Sequence, residues 1–218
     1  LGILYCISAQ NETVLSVKPG SHFSSLLGLG ILNNNPELVK RIKFSSNCAQ
    51  YLFTSDNEKG KLCSTSWNKL FGTVRCGIFN SNHKDSDRFI WRRAQSCLIF
   101  SSTFVMGELD DCAEKNLIEI AAYTYDNGDV PYESQNQGRL LKTFKTKVKI
   151  ETWYIYKLLI NQLFTEYQLM DDNGNLLESL RIEHRDCGSS YYTGLLQNLY
   201  FGGQCPAPQE VSVAYRSL

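Results

Sequence analysis

The sequence predicts an all-β chain: two packed antiparallel sheets in a jelly-roll-like sandwich, with an irregular N-terminal arm. Three observations carry that expectation. Short runs rich in β-branched and aromatic residues recur from residue 87 onward, and such side chains suit a pleated, half-buried surface. Asn-Gly and Asp-Asn dipeptides separate several of these runs, which is the local signature of hairpins. Sustained apolar periodicity of the helical kind is nearly missing.

In chain order, residues 1–9 (LGILYCISA) are apolar and end in small residues ahead of polar Gln10, so they read as the tail of a secretory signal. A buried first strand with a bonded Cys6 is the alternative. Asn11-Glu12-Thr13 is an N-glycosylation sequon, meaningful in a secreted chain. Residues 10–40 read as the arm, because Leu27-Gly28-Leu29-Gly30 and Asn33-Asn34-Asn35-Pro36 interrupt any regular pattern. A helical piece is expected over 36–43, since proline suits a first helical position. Residues 41–218 are expected to form one sandwich domain. Its strands are placed at 87–93, at 118–125 before the turn Asp126-Asn127-Gly128-Asp129, and at 144–150, where Lys145, Lys147 and Lys149 alternate toward water. Runs 153–160 and 164–170 suggest a meander. The turn Asp171-Asp172-Asn173-Gly174-Asn175 then leads into 176–182, and 210–215 alternates as a last strand.

Composition narrows function. A chain of 218 residues with 43% hydrophobic content can bury one substantial core. Basic and acidic residues balance at 22 each, so no global field draws the protein onto nucleic acid or an anionic membrane. The apolar start is far too short to span a bilayer. Eight cysteines are dispersed, without the paired short spacings of thiolate metal sites, which favours disulfides and a secreted, extracellular location. Cys187 and Cys205 flank a short segment and are expected to bond each other, with Cys97 and Cys112 as a second pair. No metal or cofactor is expected. His22, His83 and His184 are scattered, and Asp171, Asn173 and Asn175 imitate a calcium loop only in part, because Ile182 stands where the distal glutamate belongs.

The most informative segment is HKDSDRFIWRR at 83–93, which combines three arginines, two aspartates, a histidine and two large aromatics. On a strand, Arg88, Ile90 and Arg92 share one face while Asp87, Phe89, Trp91 and Arg93 share the other. Phe89 and Trp91 then point into the core, and Arg88 and Arg92 project from the opposite side, where they could meet a ligand carboxylate. In the purely structural alternative, Asp85 or Asp87 pairs with Arg92 or Arg93. The candidate ligand-binding residues are therefore Arg88, Arg92, Tyr123, Tyr125 and His83.

The pattern His83-x-x-Ser86-x-Arg88-Phe89-x-Trp91-Arg92, Ala122-Tyr123-x-Tyr125-x-Asn127-Gly128 and Tyr200-Phe201-Gly202-Gly203-x-x-x-Ala207-Pro208 resembles that of uncharacterised proteins presumed to be β-sandwiches, over residues 67–216. The strand rhythm is also similar to that of the concanavalin-like jelly rolls, which include lectins and polysaccharide lyases. The first likeness implies no activity, and the second transfers no residue.

Several chemistries compete for these residues. A lyase needs a cation to neutralise a uronate, with a His or Tyr base and a Tyr acid; His83, Arg88, Arg92, Tyr123, Tyr125 and His184 supply those types. A glycosidase needs two carboxylates at a set separation, for which Glu119 and Glu178 are the candidates. Ser86 between Asp85 and Asp87 lacks the oriented base of a triad. Twelve tyrosines and three tryptophans also suit a non-catalytic glycan module stacking sugar rings on aromatic faces, with Tyr191-Tyr192 and the polar loop 126–137 as exposed candidates. The leading expectation is carbohydrate recognition or extracellular assembly with a glycan or protein partner, and the alternative is a lyase or glycoside hydrolase on the sheet face.

Overall fold

The computed structural model describes residues 12–24, 31–53, 58–80, 83–100, 105–109, 111–127, 138–202 and 205–216. Residues 1–9, Asn11 of the sequon, residues 27–30 and most of the 126–137 loop lie outside the described residues. The strands are β1 Glu12–Val17, β2 Leu32–Asn33, β3 Glu37–Phe44, β4 Asn68–Val74, β5 Ser86–Arg93, β6 Leu98–Phe100, β7 Val105–Glu108, β8 Leu117–Tyr125, β9 Arg139–Thr143, β10 Val148–Lys149, β11 Trp153–Ile160, β12 Phe164–Met170, β13 Leu176–Glu183, β14 Gly194–Gln197 and β15 Val211–Arg216. Helix among the described residues is limited to α1 Asn47–Gln50, α2 Glu58–Thr65 and two short 3-10 turns.

Two antiparallel sheets form the sandwich. One orders its strands β1-β15-β3-β11-β12-β13; the other runs β10-β8-β5-β4-β14-β2, with β9 also paired to β8. Between them lies an aromatic core. Phe89 of β5 meets Tyr156 of β11 and Tyr167 of β12 edge-on at 5.2 and 5.3 Å, and Trp91 tilts against Phe44 at 5.2 Å. Such edge and tilted pairs follow the ring quadrupole and add about 0.5–1.5 kcal/mol each beyond area burial. The Asn-Gly turn expected between β12 and β13 forms, and Asp171 closes it by accepting the Asn173 and Asn175 amides at 2.9 and 2.8 Å.

Residues 37–44 are a strand and not the helical piece expected at 36–43. β3 is held on both sides, by β15 and β11, and buries Ile42 and Phe44; two ladders of hydrogen bonds outweigh the mild preference of one proline for a helix start. Residues 12–17, within the stretch read as an arm, pair along their whole length with 211–216.

The cysteines pair across the sandwich. Cys187 bonds Cys76 and Cys205 bonds Cys63, so the expected Cys187–Cys205 bridge does not form. Proximity in sequence fails for that pair, because the sheets bring the end of β4 against the exit of β13, whereas it holds for the expected Cys97–Cys112 pair. Cys97 bonds Cys112, and Cys48 is free and buried.

A polar network is buried between the sheets. Arg75 Nε meets Asp87 Oδ2 at 2.6 Å with both side chains fully buried. Asp87 also accepts the hydroxyls of Thr124 at 2.7 Å and Thr165 at 2.9 Å, and Tyr167 donates to it at 3.2 Å. Arg75 donates to the Tyr125 carbonyl and lies 3.0 Å from His184 Nδ1. Buried charges survive only when paired and hydrogen-bonded in this way. Asp87 is therefore taken by Arg75. Asp85 pairs with Arg185, Arg92 with Glu119, and Arg93 with Glu108, which replaces the pairing of Asp85 or Asp87 with Arg92 or Arg93.

Candidate active site on the outer face of the second sheet

On β5 the alternation holds. Phe89 and Trp91 enter the core, while Ser86, Arg88, Ile90 and Arg92 lie on the sheet face turned away from the other sheet. Cross-strand register sets Tyr125 beside Ser86, Tyr123 beside Arg88 and Glu119 beside Arg92. On the far side of β8, Tyr123 is level with Leu141 and Tyr125 with Arg139. On the near side of β5, Gly72 is level with Arg88 and Lys69 with Ile90.

Gly72 is required there. A Cβ on it would lie 2.0 Å from the Asp87 carbonyl oxygen and 2.9 Å from Arg88 Cγ, so a side chain would collide with β5 just where Arg88 crosses. Arg88 is only 2% exposed. Its Nη2 donates to Ser86 Oγ at 3.2 Å, and its guanidinium lies 6.0 Å from the Tyr125 ring centroid. Arg139 flanks the same ring at 5.9 Å. His83 Nδ1 and the Tyr125 hydroxyl are 3.3 Å apart, and the Tyr123 and Tyr125 rings meet edge-to-face at 5.1 Å. Lys69 lies over Tyr200 at 4.3 Å, and the two residues exchange backbone hydrogen bonds at 2.8 and 3.0 Å.

This face is cationic and partly desolvated, and its titrations follow from that. Burial, reinforced by Arg88 and Arg139, lowers Lys69 to about 8. Burial lowers His83 below the ordinary imidazole value, with Arg88, Lys69 and Arg139 acting in the same direction, so near neutral pH the ring is uncharged. Burial and then the neighbouring Tyr125 push the Tyr123 phenol up. Burial draws the Arg88 guanidinium down while Tyr125 and Tyr123 oppose it.

The structure thus brings four of the five sequence candidates together: His83, Arg88, Tyr123 and Tyr125. Arg92 stands apart. Its Nε donates to Glu119 Oε2 at 2.8 Å, Nη1 donates to the Thr65 carbonyl at 3.1 Å, and its guanidinium stacks on Trp67 at 4.2 Å, which makes it a bracing residue. The glycosidase pair is also separated. Glu119 on β8 is held by Arg92 and Lys147, whereas Glu178 on β13 of the other sheet accepts the amides of Lys145 and Thr146 at 3.0 and 2.8 Å. His184 lies in the buried network, and His22 stacks on Tyr200 at 5.3 Å. Among the described residues, no cluster of three or more His, Cys, Asp or Glu could hold a metal ion.

Lys69, Gly72 and Arg139 escaped the sequence reading, and Tyr200 stands in the 200–208 pattern but not among the candidate ligand residues. A register irregularity between Lys69 and Phe71 breaks the period-two pattern that would have shown which face Lys69 occupies. Arg139 joins the face only through the pairing of β9 with β8.

No protein-family model and no curated protein matches the sequence. Among solved structures the chain is similar to the alginate lyase from Klebsiella pneumoniae, with a TM-score of 0.46 and 7% identity over 82% of this chain and 56% of that one. It is similar to a glycosyl hydrolase family protein from Mycobacterium fortuitum, with a TM-score of 0.44 and 11% identity over 94% and 74% of the two chains. The endo-beta-1,3-glucanase from Pyrococcus furiosus gives a TM-score of 0.44 and 12% identity over 95% and 75%. The chain spans little more than half of the first of these, and at such identities no residue is carried across.

Proposed function

We propose that the outer face of the second sheet binds an acidic polysaccharide and cleaves it by β-elimination beside a uronate carboxyl. The observation that carries this reading is the His83–Tyr125 contact set among Lys69, Arg88 and Arg139. Neutral His83, with its lone pair on Nδ1, takes onto that nitrogen the proton from the carbon α to the carboxyl. Electrons from that C–H bond form the new C=C bond as the glycosidic C–O bond breaks, and the Tyr125 hydroxyl donates its proton to the departing oxygen. The proton on His83 Nδ1 then crosses 3.3 Å to the Tyr125 oxygen, which restores both groups. Lys69 and Arg139 meet the substrate carboxylate. Arg88, buried beneath the tyrosines, stabilises the developing negative charge through its field in a water-poor setting. Arg88 is thus a positioning residue rather than the direct ligand contact expected from the sequence.

A glycosidase would need two free carboxylates on this face. The described residues place there only Glu119, which is already ion-paired. Three disulfides fit an oxidising compartment, where such polymers occur, and no helix of the described residues is long and apolar enough to cross a membrane. The test is ultraviolet absorbance of unsaturated uronate after incubation with polymannuronate, polyguluronate, polygalacturonate and polyglucuronate. Absorbance should rise with at least one polymer. No rise with any of them, despite measurable binding, would overturn elimination in favour of non-catalytic glycan recognition.

A further inference from the structure

The bond between Cys76 and Cys187 differs from the other two disulfides of the described residues in what surrounds it. In each of those, at least one half-cystine is buried: Cys63 is 6%, Cys205 2% and Cys97 1% exposed. Cys76 and Cys187 are both partly exposed, so an incoming thiolate can reach this bond from solvent, and exposed disulfides are the labile ones. Arg75 Nη1 lies 3.8 Å from Cys187 Sγ, and a neighbouring guanidinium favours the thiolate form of a sulfur. Cys187 is thereby a good leaving group, whereas Cys63, Cys205 or Cys97 would leave as a buried thiolate, which desolvation disfavours. The same bond borders both reacting groups of the proposed site. It pins the start of the β4–β5 loop, which leads to His83, onto the segment that follows β13. Arg75, next to Cys76 in the chain, donates through Nη2 to the Tyr125 carbonyl at 2.9 Å, and its Nη1 lies 3.0 Å from His184 Nδ1. Cys76 itself is held at φ of +65°, a left-handed conformation that a residue with a side chain keeps only when its surroundings impose it. Opening the bond removes that constraint at the root of the loop.

We infer that Cys76–Cys187 is a thiol–disulfide exchange site, and that its opening by an external dithiol unseats His83 from Tyr125. One thiolate of the dithiol attacks Cys76 Sγ, the protein S–S bond breaks, and its electron pair leaves on Cys187 Sγ beside Arg75. The second thiol of the reductant, once deprotonated, attacks the reductant sulfur of the mixed disulfide, which closes a disulfide within the reductant and releases Cys76. The dithiol is oxidised by two electrons and the protein bond is reduced by the same two, while the protons of the two reductant thiols pass through water to the two released sulfurs. The consequence for turnover rests on the elimination reading, whereas the exchange and its reach to His83 do not.

The test is graded reduction of the intact, folded protein by dithiothreitol, with released thiols capped by N-ethylmaleimide and located by peptide mass spectrometry. Cys76 and Cys187 should be released at a reductant concentration about tenfold below that needed for Cys63, Cys205, Cys97 and Cys112. With glutathione in place of the dithiol, the mixed disulfide should form on Cys76. Proton NMR of the histidine rings, with His83→Gln to assign the signal, follows the site. On reduction the His83 titration should rise toward its ordinary value as the ring gains water, and reoxidation should reverse the change. A Cys76→Ser/Cys187→Ser variant, checked for folding by its melting temperature, should titrate like the reduced protein and lose turnover on the responsive polyuronate with it. Release of all three bonds together, or of either other bond first, refutes the exchange site. Selective opening with the His83 titration unmoved refutes the link to His83. A moved titration in a protein that yields no elimination product in either redox state supports the inference and refutes the elimination.

Discussion

In the proposed elimination, His83 and Tyr125 take different parts because their surroundings differ. Burial first, and then Arg88, Lys69 and Arg139, keep the His83 ring uncharged, while in that reaction Tyr125 supplies the donated proton. His83→Ala and Tyr125→Phe should each lower kcat on the responsive polyuronate roughly 10²–10⁴-fold, the usual range for a lost general acid or base, with little change in melting temperature. The pH profile gives an independent reading. Activity should fall as acid protonates His83, at a pH below the ordinary imidazole value of 6.5. Arg88→Gln removes one of the charges that hold His83 down, so it should move that acid limb toward higher pH. An unmoved limb would show that another group titrates. Asp87 is a different case, since its carboxylate is fully buried against Arg75. Asp87→Ala should destabilise the fold by about 3–5 kcal/mol, because Arg75 is left as an uncompensated buried charge, and denaturant unfolding measures the loss directly.

Among the elements, the β4–β5 pair governs the site. Strands approach so closely at Gly72 that even alanine must displace the Asp87 backbone or the Arg88 side chain. Gly72→Ala should therefore lower both stability and activity, whereas a glycine needed only for flexibility would leave the site intact. Measuring kcat and melting temperature on the same variant separates the two. The β4–β5 pair also shows why the site was only partly legible. Uninterrupted alternation in β5 assigns Arg88 and Phe89 to opposite faces by simple counting, whereas the irregularity in β4 hides Lys69 from the same count. Arg92 fits the pattern equally well and is nonetheless spent on Glu119 and Trp67; which arginine faces a free surface depends on what the neighbouring strands and the 65–67 segment bring to it.

For the whole molecule, the buried network couples stability to acidity. Burial lowers the His184 imidazole below its ordinary value of 6.5, and His83 is lowered as well. A depressed histidine binds fewer protons when folded than when unfolded, so stability is full above the unfolded value and is lost as pH falls through the folded one. The melting temperature should therefore fall between about pH 7 and about pH 5, and His184→Gln should flatten that slope. A slope identical to wild type would exclude His184 as its source.

What the sequence by itself determined is what depends on local repetition. The β class, the strand from Ser86 to Arg93 with its two faces, the Asp171 hairpin and an aromatic core containing Phe89 and Trp91 all follow from side-chain period and turn chemistry, which act within a few residues. Tertiary structure decided everything that requires one strand to meet another. It turned residues 37–44 into a central strand, bonded Cys187 to Cys76 and Cys205 to Cys63, took Asp87 into a buried pair with Arg75, and gathered Lys69 and Arg139 around Arg88. These partners lie from about a dozen to well over a hundred residues apart, and no local propensity selects among them; sheet order and register do, because burying the core admits only a few ways of stacking the two faces.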